Sequence, residues 1–71
     1  MNASEKQTAP LTDGVAKLLG SDGNAFGILG RVRRAILASN HPELADAFMR
    51  EATAKDYDHL LVTCQRYVTI E

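Results

Sequence analysis

Apolar positions recur at helical intervals through the middle of the chain and lose that order at both ends. Ala25, Ile28, Leu29, Val32, Ala35 and Ile36 repeat at i, i+3, i+4 and i+7, a continuous apolar stripe of about three turns. Asp22, Gly23 and Asn24 precede it as a turn signal. The side chain of Asp22 or Asn24 can accept hydrogen bonds from the free N–H groups of a first helical turn, so a helix is predicted to begin there. Asn40 offers a left-handed stop. A second helix is predicted from Pro42, whose missing N–H costs nothing at the first position, with Glu43 beside the positive end of the dipole. Leu44, Ala47, Phe48 and Ala52 mark its buried face. The third helix, from Asp56, carries the most regular stripe: Tyr57, Leu60, Leu61, Cys64, Tyr67 and Val68.

The ends follow other rules. In "GVAKLLG", Val15, Leu18 and Leu19 share a helical face, while Val15, Lys17 and Leu19 alternate as in a strand, so periodicity leaves both open. Three β-branched residues in a row, Val68 to Ile70, favour an extended end. A strand there needs a partner, and residues 15–19 are the only candidate. Residues 1–12 are polar, with Ala and Pro interspersed and no periodicity, which predicts a disordered tail ahead of a single domain at 13–71. The expected fold is helix-rich α+β, with three helices packed together and short extended segments at both ends that pair as a small two-stranded sheet.

Composition narrows the chemistry. At 71 residues the chain is near the lower size at which one core holds without staples. Its 45% hydrophobic and 24% charged residues are the balance of a globular domain, with Leu, Ile, Val and Ala supplying most of the core in the absence of Trp. Eight basic residues against nine acidic give −1, which removes any global attraction to nucleic acid or anionic membrane and leaves only local patches. A single cysteine, Cys64, excludes an internal disulfide and any CxxC zinc arrangement, which suits a reducing cytoplasm. No apolar run approaches the ~18 residues of a membrane span, and "MNASEKQTAPLT" lacks the layout of a signal peptide.

Motif tests return fragments. "DGNAFG" places Asp22, Asn24 and Gly27 at positions 1, 3 and 6 of a calcium loop, but Phe26 and Arg33 occupy the fifth and twelfth positions, where ligands are needed. A phosphate cradle would require GxGxxG or GxxxxGK[ST], and neither is present. "GILG" has the GxxG form of an RNA-binding loop, yet Ile28 and Leu29 belong to the apolar stripe. A helix-turn-helix through "SNHP" would send Glu43, Asp46 and Glu51 toward phosphates with only Arg50 to offset them. In "KDYDHLL", Asp56 and Asp58 suit a helix start, and Cys64 falls on the apolar stripe, so acid, base and nucleophile do not assemble. His41 and His59 lack a third ligand at metal spacing. No catalytic, cofactor or metal residues are therefore expected.

Two features remain. Gly27 and Gly30 lie inside the first helix, where each is worse than alanine by about 0.8 to 1 kcal/mol, so a close approach by another backbone, a bulky side chain or a partner is expected over them. Arg31, Arg33 and Arg34 form the only basic cluster. Arg31 and Arg34 share an edge with the two glycines, and Arg33 points away.

The segments "DGNAF" (Asp22 to Phe26), Gly30, Val32 and Arg34, then Glu51 and Ala52, then "DYDHLL" (Asp56 to Leu61) together cover nearly everything after the tail. They resemble a family of small uncharacterised bacterial and phage proteins of the form V-x-L-V-G-x-D-G-N-A-F, G-x-V-x-R-A-L, E-A-x-x-x-D-Y-D-H-L-L and a final W-V. The chain departs from it where Tyr67 replaces the Trp and where Lys17 and Leu18 interrupt a cleaner strand. The resemblance implies a strand at residues 15–19 and brings no activity with it. The expectation for function is a non-enzymatic protein-binding or self-associating module, a homodimer in the self-associating case, contacting its partner through Gly27, Gly30, Arg31, Arg33 and Arg34. The alternative is a nucleic-acid-binding accessory protein using the arginine cluster.

Overall fold

The computed structural model describes residues 9–18 and 24–71. Along the chain come strand β1 (Val15–Ala16), helix α1 (Ala25–Leu37), helix α2 (Ala45–Ala52), helix α3 (Tyr57–Tyr67) and strand β2 (Thr69–Ile70). The helix-rich α+β fold expected from the sequence is the one observed.

Helices α1 and α3 begin where a side chain serves their free N–H groups. Asn24 caps α1, its Oδ1 accepting from the N–H of Phe26 at 2.8 Å and of Gly27 at 3.4 Å. Asp22 and Gly23, the other part of that turn, lie outside the described residues. Asp56 caps α3 by accepting from the His59 N–H at 3.0 Å. Helix α2 is entered through a single 3-10 turn, Pro42–Leu44, with the proline at its start.

The stop assigned to Asn40 is corrected: α1 ends at Leu37, with Ala38 as a right-handed cap. The last carbonyls are already served, Arg34 by the Ala38 N–H at 3.1 Å and Ile36 by the Ser39 hydroxyl at 2.6 Å. Asn40 is thereby released to bind Asp13.

The strands pair in parallel, Val15 with Thr69 and Ala16 with Ile70. The Thr69 N–H donates to Gly14 O and the Glu71 N–H to Ala16 O, each at 2.9 Å, and the Leu18 N–H donates to Glu71 O at 2.8 Å. Pairing thus reaches Leu18, and Leu19 lies outside the described residues. Helix α1 covers this sheet closely. A Cβ on Gly14 would stand 2.8 Å from the Ala35 carbonyl oxygen, so only glycine fits there.

The tail boundary moves. Leu11 and Thr12 donate their N–H groups to Arg66 O at 2.9 Å and Tyr67 O at 3.1 Å, and the buried Thr12 hydroxyl donates to Tyr67 O at 2.7 Å. Composition places these two residues in a disordered tail because they offer no apolar face. Backbone pairing with the end of α3 orders them instead.

The core draws Ile28, Leu29, Val32 and Ile36 from α1, Ala45, Phe48 and Ala52 from α2, and Leu60, Cys64 and Tyr67 from α3, closed by Ala16 and Val68. Phe48 meets Tyr67 edge to face, with ring centroids 5.4 Å apart. On α2 it is Ala45, at i−3 from Phe48, that is fully buried, and Ala47 flanks it half-buried. Thr63 is also buried, because its hydroxyl donates to the His59 carbonyl at 2.8 Å and leaves only the methyl group for the core.

Candidate partner-binding face

Burying Ile28, Leu29, Val32 and Ile36 turns the opposite side of α1 outward. Residues at i, i+3, i+4 and i+7 on that side are Gly27, Gly30, Arg31 and Arg34, and with Phe26 they line a groove of about 350 Å³. The expected juxtaposition of the two arginines with the two glycines is therefore present. Arg33 is exposed and does not line this groove.

Nothing in the described chain covers the glycines. No heavy atom lies within 4 Å of a Cβ built on Gly30, and Gly27 would meet only the Asn24 Cβ at 3.9 Å. The backbone or bulky side chain expected over them is absent among the described residues.

Phe26 was missed from the sequence. It is 85% exposed and stands at the end of the groove. Its position one residue after Ala25, off the apolar stripe, was the available signal. It also borders a mainly apolar cleft of about 380 Å³, formed with Leu29, Ala52, Tyr57 and Leu60 from the three helix ends.

Arg31 and Arg34 face a second depression as well, of about 310 Å³, lined by Val15 and Ala16 of β1, by Lys17 just after it and by Ala35. Lys17 thus joins the basic cluster, although fourteen positions separate it from Arg31 in the chain. The close packing of β1 on α1, with Gly14 against Ala35, brings them together. The ion pairs among the described residues lie elsewhere, His41 with Glu43 and Arg66 with Glu51, so Lys17, Arg31 and Arg34 are not neutralised by the described acids.

The "EA" and "DYDHLL" segments do structural work instead. The Glu51 carboxylate accepts from the Tyr67 hydroxyl at 2.9 Å and from the Arg66 guanidinium. The Tyr67 hydrogen bond, with the Arg66 contact behind it, holds the Glu51 carboxyl below its ordinary value against a smaller opposing effect of burial. The ring of His59 places Nε2 2.8 Å from the Glu51 carbonyl, which makes that nitrogen the proton-bearing donor, with Thr63 Oγ1 3.4 Å from it. Glu51 and His59 therefore fasten α2 to α3. Burial pushes the Cys64 thiol up to about 11, the reverse of what a nucleophile needs. Among the described residues no three His, Cys, Asp or Glu side chains are placed to share a metal ion, and no helix is long and apolar enough to cross a membrane.

Comparison with protein-family models, with curated proteins and with solved structures finds no match.

Proposed function

We propose that this chain is a non-enzymatic protein-binding module whose contact surface runs from Phe26 across Gly27 and Gly30 to Arg31 and Arg34. The observation that carries this reading is Phe26, 85% exposed beside a glycine-floored groove flanked by cations without described partners. An aromatic ring left in water gains on the order of 1.5 to 3 kcal/mol when covered, and aromatic and arginine side chains are the commonest energetic centres of interfaces. A floor without side chains lets a partner's backbone approach closely. Work in the cytoplasm suits the unpaired Cys64, and the module stands as a member of the small bacterial and phage family that its sequence resembles.

A self-associating form is less favoured on this face. A two-fold pairing centred on it would set Arg31 and Arg34 of each copy against the same cations of the other. Nucleic acid is the second reading, because an exposed aromatic beside arginines can stack bases. Against it stand the charge of −1 and the exposed Glu43 and Asp46 on the neighbouring turn and helix.

The test places a photo-crosslinking amino acid at position 26 in the producing cell and pairs it with mobility shifts on single- and double-stranded oligonucleotides. A discrete protein adduct that Arg34→Glu abolishes is expected, with oligonucleotide binding weaker than about 10 μM at physiological salt. Submicromolar oligonucleotide binding that Arg31→Glu and Arg34→Glu both remove would overturn the proposal in favour of nucleic acid.

A further inference from the structure

The depression shared by Arg31 and Arg34 is bordered by a strand edge with which no other described residue pairs. Thr69 and Glu71 bond to Gly14, Ala16 and Leu18, so the even-numbered residues in and beside β1 direct their backbone groups at β2. Alternation then turns the N–H and C=O groups of Val15 and Lys17 the other way. The sheet has two strands only among the described residues, and none of the residues lining the depression belongs to β2. This places the free edge of β1 at the depression. Its lining combines the small side chains of Ala16 and Ala35 with the cations Lys17, Arg31 and Arg34.

From this geometry we infer that the β1 edge accepts an extended acidic segment of a partner protein, added as a third strand beside β1. The inference rests on the protein-binding reading and names the partner's chemistry. Backbone pairing at Val15 and Lys17 would supply affinity, and carboxylates of the segment would be drawn to the surrounding Lys17, Arg31 and Arg34. A second copy of this chain is the poorer occupant. Pairing β1 with β1 would juxtapose two sets of these same cations, and lysine on a short edge strand is a device that discourages self-pairing.

The probe is the blocked peptide acetyl-(Glu-Val)4-amide, with acetyl-(Lys-Val)4-amide as its charge-reversed control, titrated into the full chain and followed by NMR amide exchange. Binding of the acidic peptide should slow exchange at the Val15 and Lys17 N–H groups by at least about tenfold, and the basic peptide should leave both unchanged. Val15→Pro removes one outward donor without touching the bonds to β2, since proline is tolerated on an edge whose N–H faces away. It should weaken the acidic peptide by at least about tenfold, equivalent to the loss of one good interaction. If Val15→Pro does not fold, exchange in the unaltered chain decides alone. Failure of the acidic peptide to bind at millimolar concentration overturns strand addition. So does binding that leaves both amides unprotected. Either result, alongside a positive crosslink at position 26, leaves the protein-binding reading standing without this mode of contact, whereas a missing crosslink strikes that reading itself.

Discussion

Asp13 and Asn40 hold each other by two hydrogen bonds: the Asn40 N–H donates to Asp13 Oδ1 at 2.8 Å, and the Asp13 N–H donates to Asn40 Oδ1 at 3.0 Å. The pair spans 27 positions and ties the entry of β1 to the turn after α1. With Gly14 already against Ala35, it fixes how the sheet sits on that helix. Both residues are exposed, so water competes for these bonds and each contributes toward the low end of the ordinary range. Asn40→Ala removes only the bond that its side chain accepts and keeps the one its backbone donates, so it should cost about 0.5 kcal/mol, seen as a lower urea midpoint at unchanged slope. An unaltered midpoint would mean that solvent replaces the clasp without loss.

Gly14, at the entry of β1, and Gly30, inside α1, should respond oppositely to alanine. At Gly14 the new methyl meets the Ala35 carbonyl oxygen at 2.8 Å, a backbone atom that cannot rotate aside, and the loss should be about 1 to 3 kcal/mol. At Gly30 it meets nothing within 4 Å, so helix propensity should raise stability by up to about 1 kcal/mol. For a domain this small, 1 kcal/mol moves the melting temperature by roughly 4 to 8 °C, which thermal unfolding of the two variants resolves. A destabilised Gly30→Ala in dilute solution would show that the helix face is covered after all.

Periodicity and capping chemistry made the helices legible, because Asn24, Pro42 and Asp56 each act locally on the turn that follows them. The β-branched run at Val68 to Ile70 likewise announced an extended end. The direction of strand pairing was not legible. It depends on how three helices return the chain, which no local pattern encodes. The same limit hid Lys17 from the basic cluster and hid Thr12 from the fold, since each gains its role only from a residue far along the chain. Thr63 was missed for a different reason: its bond to the His59 carbonyl is one turn away, yet a hydroxyl at a core position looks polar until that bond is drawn. The site was half visible. Helical spacing placed Gly27, Gly30, Arg31 and Arg34 together, whereas Phe26 became informative only once its exposure was known.

Cys64 should be chemically silent in the folded chain. It is 1% exposed, and burial lifts its thiol to about 11, so thiolate is scarce at neutral pH and sheltered where it forms. A disulfide-exchange reagent at pH 8 should react only at the rate of unfolding, and immediately in denaturant. The same shift gives an alkaline dependence. A thiol raised in the folded state ionises first in the unfolded chain, so its contribution is present below the ordinary thiol value and is lost as pH climbs toward 11. Tyr67, raised by burial and then by Glu51, acts in the same direction. Rapid labelling under native conditions would show that the α1–α3 contact opens readily.

Glu51 should carry an acid dependence of the opposite sense. Its carboxyl is held below the ordinary value, first by the Tyr67 hydroxyl and then by Arg66, so the unfolded chain binds the proton more readily than the folded one. The stabilisation is therefore complete above the ordinary carboxylate range and disappears as pH falls through the depressed value. At pH 7, Glu51→Ala should cost about 1 to 2 kcal/mol, because the buried Tyr67 hydroxyl loses its acceptor along with the Arg66 pairing. Glu51→Gln keeps an acceptor for Tyr67 and removes the charge. It should cost less at pH 7, at most about 1 kcal/mol, since the arginine contact is largely solvent-screened. The bond from His59 to the Glu51 carbonyl survives in both variants, so α2 stays joined to α3 and each variant should fold. Urea unfolding between pH 3 and pH 7 should show the original chain losing its advantage over Glu51→Gln as the pH drops. Tyr67→Phe should shrink the same pH-dependent difference, because it removes the main cause of the lowered carboxyl. A gap between the original chain and Glu51→Gln that stays constant over the whole range would locate the stabilisation in packing at this position instead of in the charge.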